Sequence, residues 1–146
     1  MQKLASFEIN TQIDKETCFY YLSNMENFDN WFPEVIKIAS ENKESIGVGK
    51  RYKETVKIPV IGLKDITLTV QNYEKYSSFA TEGDLSPLLP RMEILVSNGG
   101  NGNTIVNWSF YSRNSSNLFK FVAPLFKSVM NKRAQIASIK LKNVLA

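Results

Sequence analysis

Histidine is absent from this chain of 146 residues, and cysteine occurs once, as Cys18. The first absence removes the side chain that most often serves as a general base near neutral pH, every Ser-His or Cys-His nucleophile pair, and the usual zinc ligand. An enzyme built on this sequence has to work with carboxylates, Tyr, Lys or Arg. The lone cysteine excludes an intrachain disulfide, a CxxC redox pair and a multi-cysteine metal site, and it fits a reducing compartment. Long apolar runs are missing too. No stretch approaches the roughly 18 apolar residues that span a bilayer, and the N-terminal MQKLASFEINTQI alternates where a signal peptide would be continuously apolar. The expectation is a soluble, cytoplasmic protein without metal or cofactor, forming a single domain over residues 1–146, because a chain of this size carries one core.

Acidic residues are lacking from residues 94–146, which hold 7 basic side chains and a net charge of +7. Residues 1–93 hold 11 basic and 14 acidic side chains, net −3, so the overall +4 conceals two oppositely charged halves. A basic C-terminal segment is suited to attract anionic ligands, acidic lipid or nucleic acid. A solvated helix face with cations near its C-terminus accounts for the same charges.

What is present is a succession of periodicities. Residues 3–11 alternate, with Ala5, Phe7 and Ile9 on one side and Leu4, Ser6, Glu8 and Asn10 on the other, as in a half-buried strand. Asp14 is placed to cap a short helix through Leu22, with Cys18, Phe19 and Leu22 facing inward and Cys18 as a small core residue. A second helical turn over Met25–Asp29 leads to Trp31, Phe32 and Pro33, where the proline disfavours helix at the residue before it. Six further strands follow between Glu34 and Tyr111: Val35–Ser40, Lys50–Ile58, Leu63–Tyr73, Ser77–Glu82, Arg91–Ser97 and Thr104–Ser112. NGGNG at 98–102 marks a hairpin loop, since Gly and Asn tolerate positive φ, and LSPLLP at 85–90 is a looser, partly apolar crossing. Residues 115–146 change period. Leu118, Val122, Leu125, Phe126, Val129, Met130, Ile136, Ala137, Leu141, Val144 and Leu145 recur at three and four, predicting an amphipathic helix of about 28 residues with a kink or a start near Pro124. A helix cannot cover seven antiparallel strands by lying flat on them. The sheet is expected to curl around it, and such curvature leaves room for a cavity, although a fully packed α+β core has the same periodicities.

That order of elements, strand, two short helices, six strands and a long C-terminal helix, resembles the helix-grip fold of the START and polyketide cyclase superfamily (SRPBCC), which includes birch-pollen-allergen-like proteins. Tyr21, Leu22, Asn24, Glu26, Asn27, Trp31, Pro33 and Val35 are similar to that group's opening "yl.d.en...W.p.v" pattern. Gly47, Gly49 and Tyr52 resemble its "GvG..y" turn, Asn103–Phe110 (NTIVNWSF) its penultimate element, and Lys132, Arg133, Leu141 and Lys142 its basic last helix ending in "Lk". The resemblance spans nearly the whole chain. It implies a cavity that holds a lipid-like, polyketide-like or other small hydrophobic molecule, and in a minority of members a cyclisation or dehydration carried out there. The absence of histidine sets this chain apart from the catalytic cyclases and moves the balance toward a binding or carrier module.

Strand alternation places Tyr52, Glu54, Val56 and Ile58, then Ile66, Leu68 and Val70, on the concave face. Met92, Ile94 and Val96 follow, and then Val106, Trp108 and Phe110. Glu54 is the one ionisable carboxylate on this surface, and without a partner its pKa rises by desolvation. Arg133, four residues after Val129 on the apolar stripe of the last helix, is the expected partner, either closing the cavity or orienting a ligand. The competing expectation leaves Glu54 at a wet cavity mouth and Arg133 snorkelling to solvent. Trp31 is read as core and Trp108 as a cavity-lining aromatic. The ligand set expected is therefore Tyr52, Glu54, Val56, Leu68, Val70, Met92, Ile94, Val106, Trp108, Phe110, Val129 and Arg133. In the alternative enzyme reading Glu54 is the catalytic general acid or base and Tyr52 a hydrogen-bond donor. A third reading is an interaction protein using the basic helix, with transient membrane-surface contact open to it. The phenylalanines interleaved with Lys120 and Lys127 fall around the helix and form no stacking platform, which argues against nucleic acid.

Overall fold

The computed structural model describes residues 1–59 and 61–146. Its elements are β1 (Gln2–Thr11), α1 (Lys15–Ser23), a short 3-10 helix (Met25–Asn30), β2 (Val35–Ser40), β3 (Arg51–Ile58), β4 (Gly62–Glu74), β5 (Ser78–Gly83), β6 (Pro90–Asn98), β7 (Thr104–Ser112) and α2 (Asn117–Val144). The seven strands form one antiparallel sheet in the order β1-β7-β6-β5-β4-β3-β2, curved around α2 in a helix-grip fold. Six of the strands are a simple meander, and the first strand of the chain joins the last by pairing Phe7 with Trp108 and Ile9 with Val106.

Local chemistry explains the punctuation. Asp14 accepts from the Thr17 backbone N–H at 3.0 Å and from its hydroxyl at 2.7 Å, capping α1 as expected. Cys18 is fully buried, and burial lifts its thiol to about 11, so it behaves as a small apolar filler. The 98–102 loop turns β6 into β7 with Asn101 at φ 58 and Gly102 at φ 77. Gly49, at φ 93, donates its N–H to the Val70 carbonyl and starts β3 against β4.

Three sequence expectations are corrected. Leu4 and Ala5 are both buried because a β-bulge between Lys3 and Ala5 adds a residue to β1 and turns Leu4 inward. Pro124 does not start α2: Ser116 caps the helix, accepting from the Phe119 N–H, and Pro124 lies inside it. The buried stripe of α2 is Phe119, Ala123, Met130, Ala134, Ala137 and Leu141, continued by Leu145 beyond its end, whereas Leu118, Leu125, Ile136 and Val144 are exposed. Met130, Ala137, Leu141 and Leu145 belong to the expected stripe, whereas Phe119, Ala123 and Ala134 lie outside it. The helix is apolar over a wider arc than the sheet covers, and the side it presents to the sheet is the one where alanines permit close approach.

Candidate functional site

A cavity of about 320 Å³ opens between the curved sheet and the N-terminal half of α2. Its sheet wall comes from Glu54 and Val56 of β3, Ile66 and Leu68 of β4, Thr81 and Gly83 of β5, Met92 of β6 and Phe110 of β7. Leu125, Phe126, Val129, Met130 and Arg133 of α2 face it. Met25, Phe28 and Phe32 close one side, and Leu85, Leu88 and Pro90 another. Glu34, Pro59 and Ile61 lie at the rim. The wall is close-set at Gly83: a Cβ there would stand 2.9 Å from the Pro90 ring and 3.1 Å from Leu68.

Alternation along the strands aims these side chains inward, and β3 contributes the one that is out of character. Glu54 is 5% exposed, paired across the sheet with Ile38 and Ile66, and its Oε2 is buried without a hydrogen-bond partner. Desolvation alone raises its carboxyl to about 8, so at neutral pH it carries a proton. A neutral carboxyl in this setting has one O–H to donate and an oxygen to accept with.

The expected pairing of Glu54 with Arg133 is not made. Arg133 lines the cavity but its guanidinium donates to the Lys57 backbone carbonyl at 2.9 Å, and the two side chains form no ion pair. The β3 backbone end offers a carbonyl nearer the mouth, and a guanidinium can satisfy a donor there while staying partly hydrated. Burial lowers the Arg133 pKa, with the nearby Glu34 charge opposing that effect.

Of the residues expected to meet in the site, Glu54, Val56, Leu68, Met92, Phe110, Val129 and Arg133 surround this cavity. Tyr52, Val70, Ile94, Val106 and Trp108 do not line it; each is no more than 1% exposed in the closed end of the core. Aromatic packing fills that end. Trp108 stacks on Phe7 with ring centres 5.0 Å apart and lies 5.4 Å from Phe32, while Phe19 packs edge-on to Phe79. Trp31 is core, as expected, packed against Phe28 and Phe7. The Tyr52 hydroxyl and Trp108 Nε1 are both buried without hydrogen-bond partners. Sequence reasoning missed the rim and the side walls. The apolar content of LSPLLP and of Met25, Phe28 and Phe32 was the available signal, but such residues have no strand or long-helix period to say which way they point.

No protein-family model matches the chain, and neither does any curated protein sequence. Solved structures do resemble it. A START superfamily protein from Mycobacterium smegmatis superposes with a TM-score of 0.75 at 13% identity, over 97% of this chain and 95% of that one. The di-domain ARO/CYC BexL of the BE-7585A biosynthetic pathway superposes with a TM-score of 0.72 at 14% identity. It is matched over 99% of this chain and 47% of its own, so this chain spans about half its length. The di-domain ARO/CYC StfQ of the steffimycin biosynthetic pathway gives 0.71 at 8% identity, over 97% of this chain and 50% of that one. The fold is START-like and polyketide cyclase-like. Among the described residues no helix is long and apolar enough to cross a membrane, and no group of three or more His, Cys, Asp or Glu side chains is placed to hold a metal.

Proposed function

We propose that this START-like fold holds a small hydrophobic molecule in the cavity between its sheet and α2, and acts as a binding or carrier module. The observation that carries the reading is an apolar cavity of about 320 Å³ enclosing one unpartnered carboxyl. Apolar burial supplies most of the affinity in such a site, and the few polar groups set orientation. Val56, Leu68, Met92, Phe110 and Val129 provide the apolar surface, with Glu54 and Arg133 as polar contacts. A neutral fluorescent probe tests the reading: it should bind the wild-type protein, and Leu68→Trp, which fills the cavity, should abolish its signal. Retained ligand seen by native mass spectrometry supports it further. Equal probe binding by the filled variant excludes the cavity as the site.

The protonated state of Glu54 favours one second reading, a cyclase or dehydratase in which this carboxyl gives and retakes a proton while the cavity wall folds the substrate. Tyr52 has no place in that chemistry, since it does not line the cavity. With a candidate polyketide substrate, Glu54→Gln should abolish turnover and leave probe affinity within about twofold. Unchanged turnover removes Glu54 as the acid.

A further inference from the structure

The cavity has two polar groups of different character at different depths. Glu54 sits inside, among Ile38, Ile66 and the apolar wall, with a buried oxygen that has no hydrogen-bond partner among the described residues. Arg133 sits toward the mouth. Among the described residues one hydrogen bond, to the Lys57 carbonyl, restrains its guanidinium. A guanidinium has five N–H donors in a planar fork, so most of its capacity is left over, and the fork matches a carboxylate. Among the described residues lining the rim, Glu34 is the one carboxylate, and it forms no ion pair with Arg133. Lys57 and Lys64 of β3 and β4 and Lys127 and Lys132 of α2 are exposed and do not line the cavity, and Asp65 of β4 is a nearby charge of opposite sign.

Resting on the reading that the cavity holds a hydrophobic molecule, we infer that its ligand is an acidic amphiphile with a second oxygen function. A carboxylate-class head is held at the mouth by Arg133, and a hydroxyl or carbonyl within the apolar body hydrogen-bonds Glu54. Cationic amphiphiles are excluded by the same arrangement. An ammonium head at the mouth meets the like charge of Arg133, and one at depth finds in Glu54 a carboxyl that burial keeps neutral rather than a carboxylate. A ligand lacking the inner oxygen leaves Glu54 as it is now, buried and unpaired, and forfeits the gain that a matched polar contact makes in a dry site.

Displacement of the neutral probe N-phenylnaphthylamine by chain-matched competitors tests this. Lauric acid should displace it at a concentration about tenfold or more below that needed of laurylamine, and a mid-chain hydroxylauric acid should improve on lauric acid by a further several-fold. Arg133→Met should erase the advantage of the acids and leave lauryl alcohol unchanged. Glu54→Leu should erase the gain from the mid-chain hydroxyl, which Glu54→Gln retains because an amide still donates and accepts. Far-UV circular dichroism and a cooperative thermal transition show that each variant is folded, and competition is read relative to each variant's own affinity for the neutral probe. Laurylamine competing as well as lauric acid, or Arg133→Met treating acid and amine as the wild type does, overturns the inference while leaving the hydrophobic-ligand reading in place. Failure of the neutral probe to bind the folded wild-type protein overturns both.

Discussion

Among the described residues, Glu54, Tyr52 and Trp108 each bury a polar atom without a hydrogen-bond partner, and each has a different energetic meaning. The Glu54 carboxyl is raised from 4.5 to about 8 by burial. A group whose folded pKa lies above its unfolded value contributes stability that is complete below the unfolded pKa and is lost as pH rises through the folded one. The window is therefore about pH 4.5 to about pH 8. Thermal melts should show the wild-type Tm falling across it while Glu54→Gln stays flat; a wild-type profile as flat as the variant's contradicts a neutral buried Glu54. The Tyr52 hydroxyl makes no hydrogen bond in the core, so Tyr52→Phe removes an unsatisfied group at constant shape. Its stability, by urea denaturation, should be unchanged or higher by about 0.5–1 kcal/mol. Trp108→Ala loses the ring that stacks between Phe7, Phe32 and Phe110 and should cost about 3–5 kcal/mol.

The helix α2 shows why periodicity alone misplaces an apolar face. Leu141 is fully buried and Leu141→Ala should cost about 2–5 kcal/mol by chemical denaturation. Leu118 is 79% exposed, and Leu118→Ser should change stability by no more than about 0.5 kcal/mol. Both were legible as members of one stripe, because the sequence records that a residue is apolar and not whether a neighbour covers it. What decides is the position of Ala123, Ala134 and Ala137, which let the helix approach the sheet, and alanine is too common on every helix face to announce that role. Strands were legible because alternation is unambiguous over eight or more residues, and β3 put Glu54 on the concave face correctly. The bulge in β1 was not, since nothing in Lys3-Leu4-Ala5 departs from strand chemistry. The Glu54–Arg133 pairing failed for a geometric reason: two residues on the right faces still meet only if no nearer acceptor exists, and the Lys57 carbonyl is nearer to hand. Pro124 is exposed in the helix body, where it withholds a donor from the Lys120 carbonyl. Pro124→Ala should raise Tm, by an amount corresponding to about 1–3 kcal/mol.

At the scale of the molecule, the overall charge of +4 is the least informative way to state the electrostatics. The C-terminal segment, with no acidic side chain, supplies β7, α2 and Arg133, so the element that closes the cavity is also the positive one. Exposed lysines such as Lys57, Lys127 and Lys132 act on a bound acid through solvent and are screened by salt, whereas a contact inside the cavity is not. Raising ionic strength should therefore weaken a bound lauric acid more than lauryl alcohol, measured by the same probe displacement.

The pairing of β1 with β7 sets a schedule for the chain as it is made. Strands β2 to β7 can zip in order as hairpins, each joining a neighbour only a loop away. β1 is synthesised first and has to wait for a partner about a hundred residues downstream, so its contacts carry the largest loop-closure cost in the molecule. Until Trp108 arrives, Phe7 and Ile9 have no sheet to join, and until β1 docks, β7 is an open edge next to an unanchored helix. Seating β1 therefore draws on the most distant contacts in the fold, and the Thr11 hydroxyl extends that reach by donating to the Leu145 carbonyl beyond the end of α2.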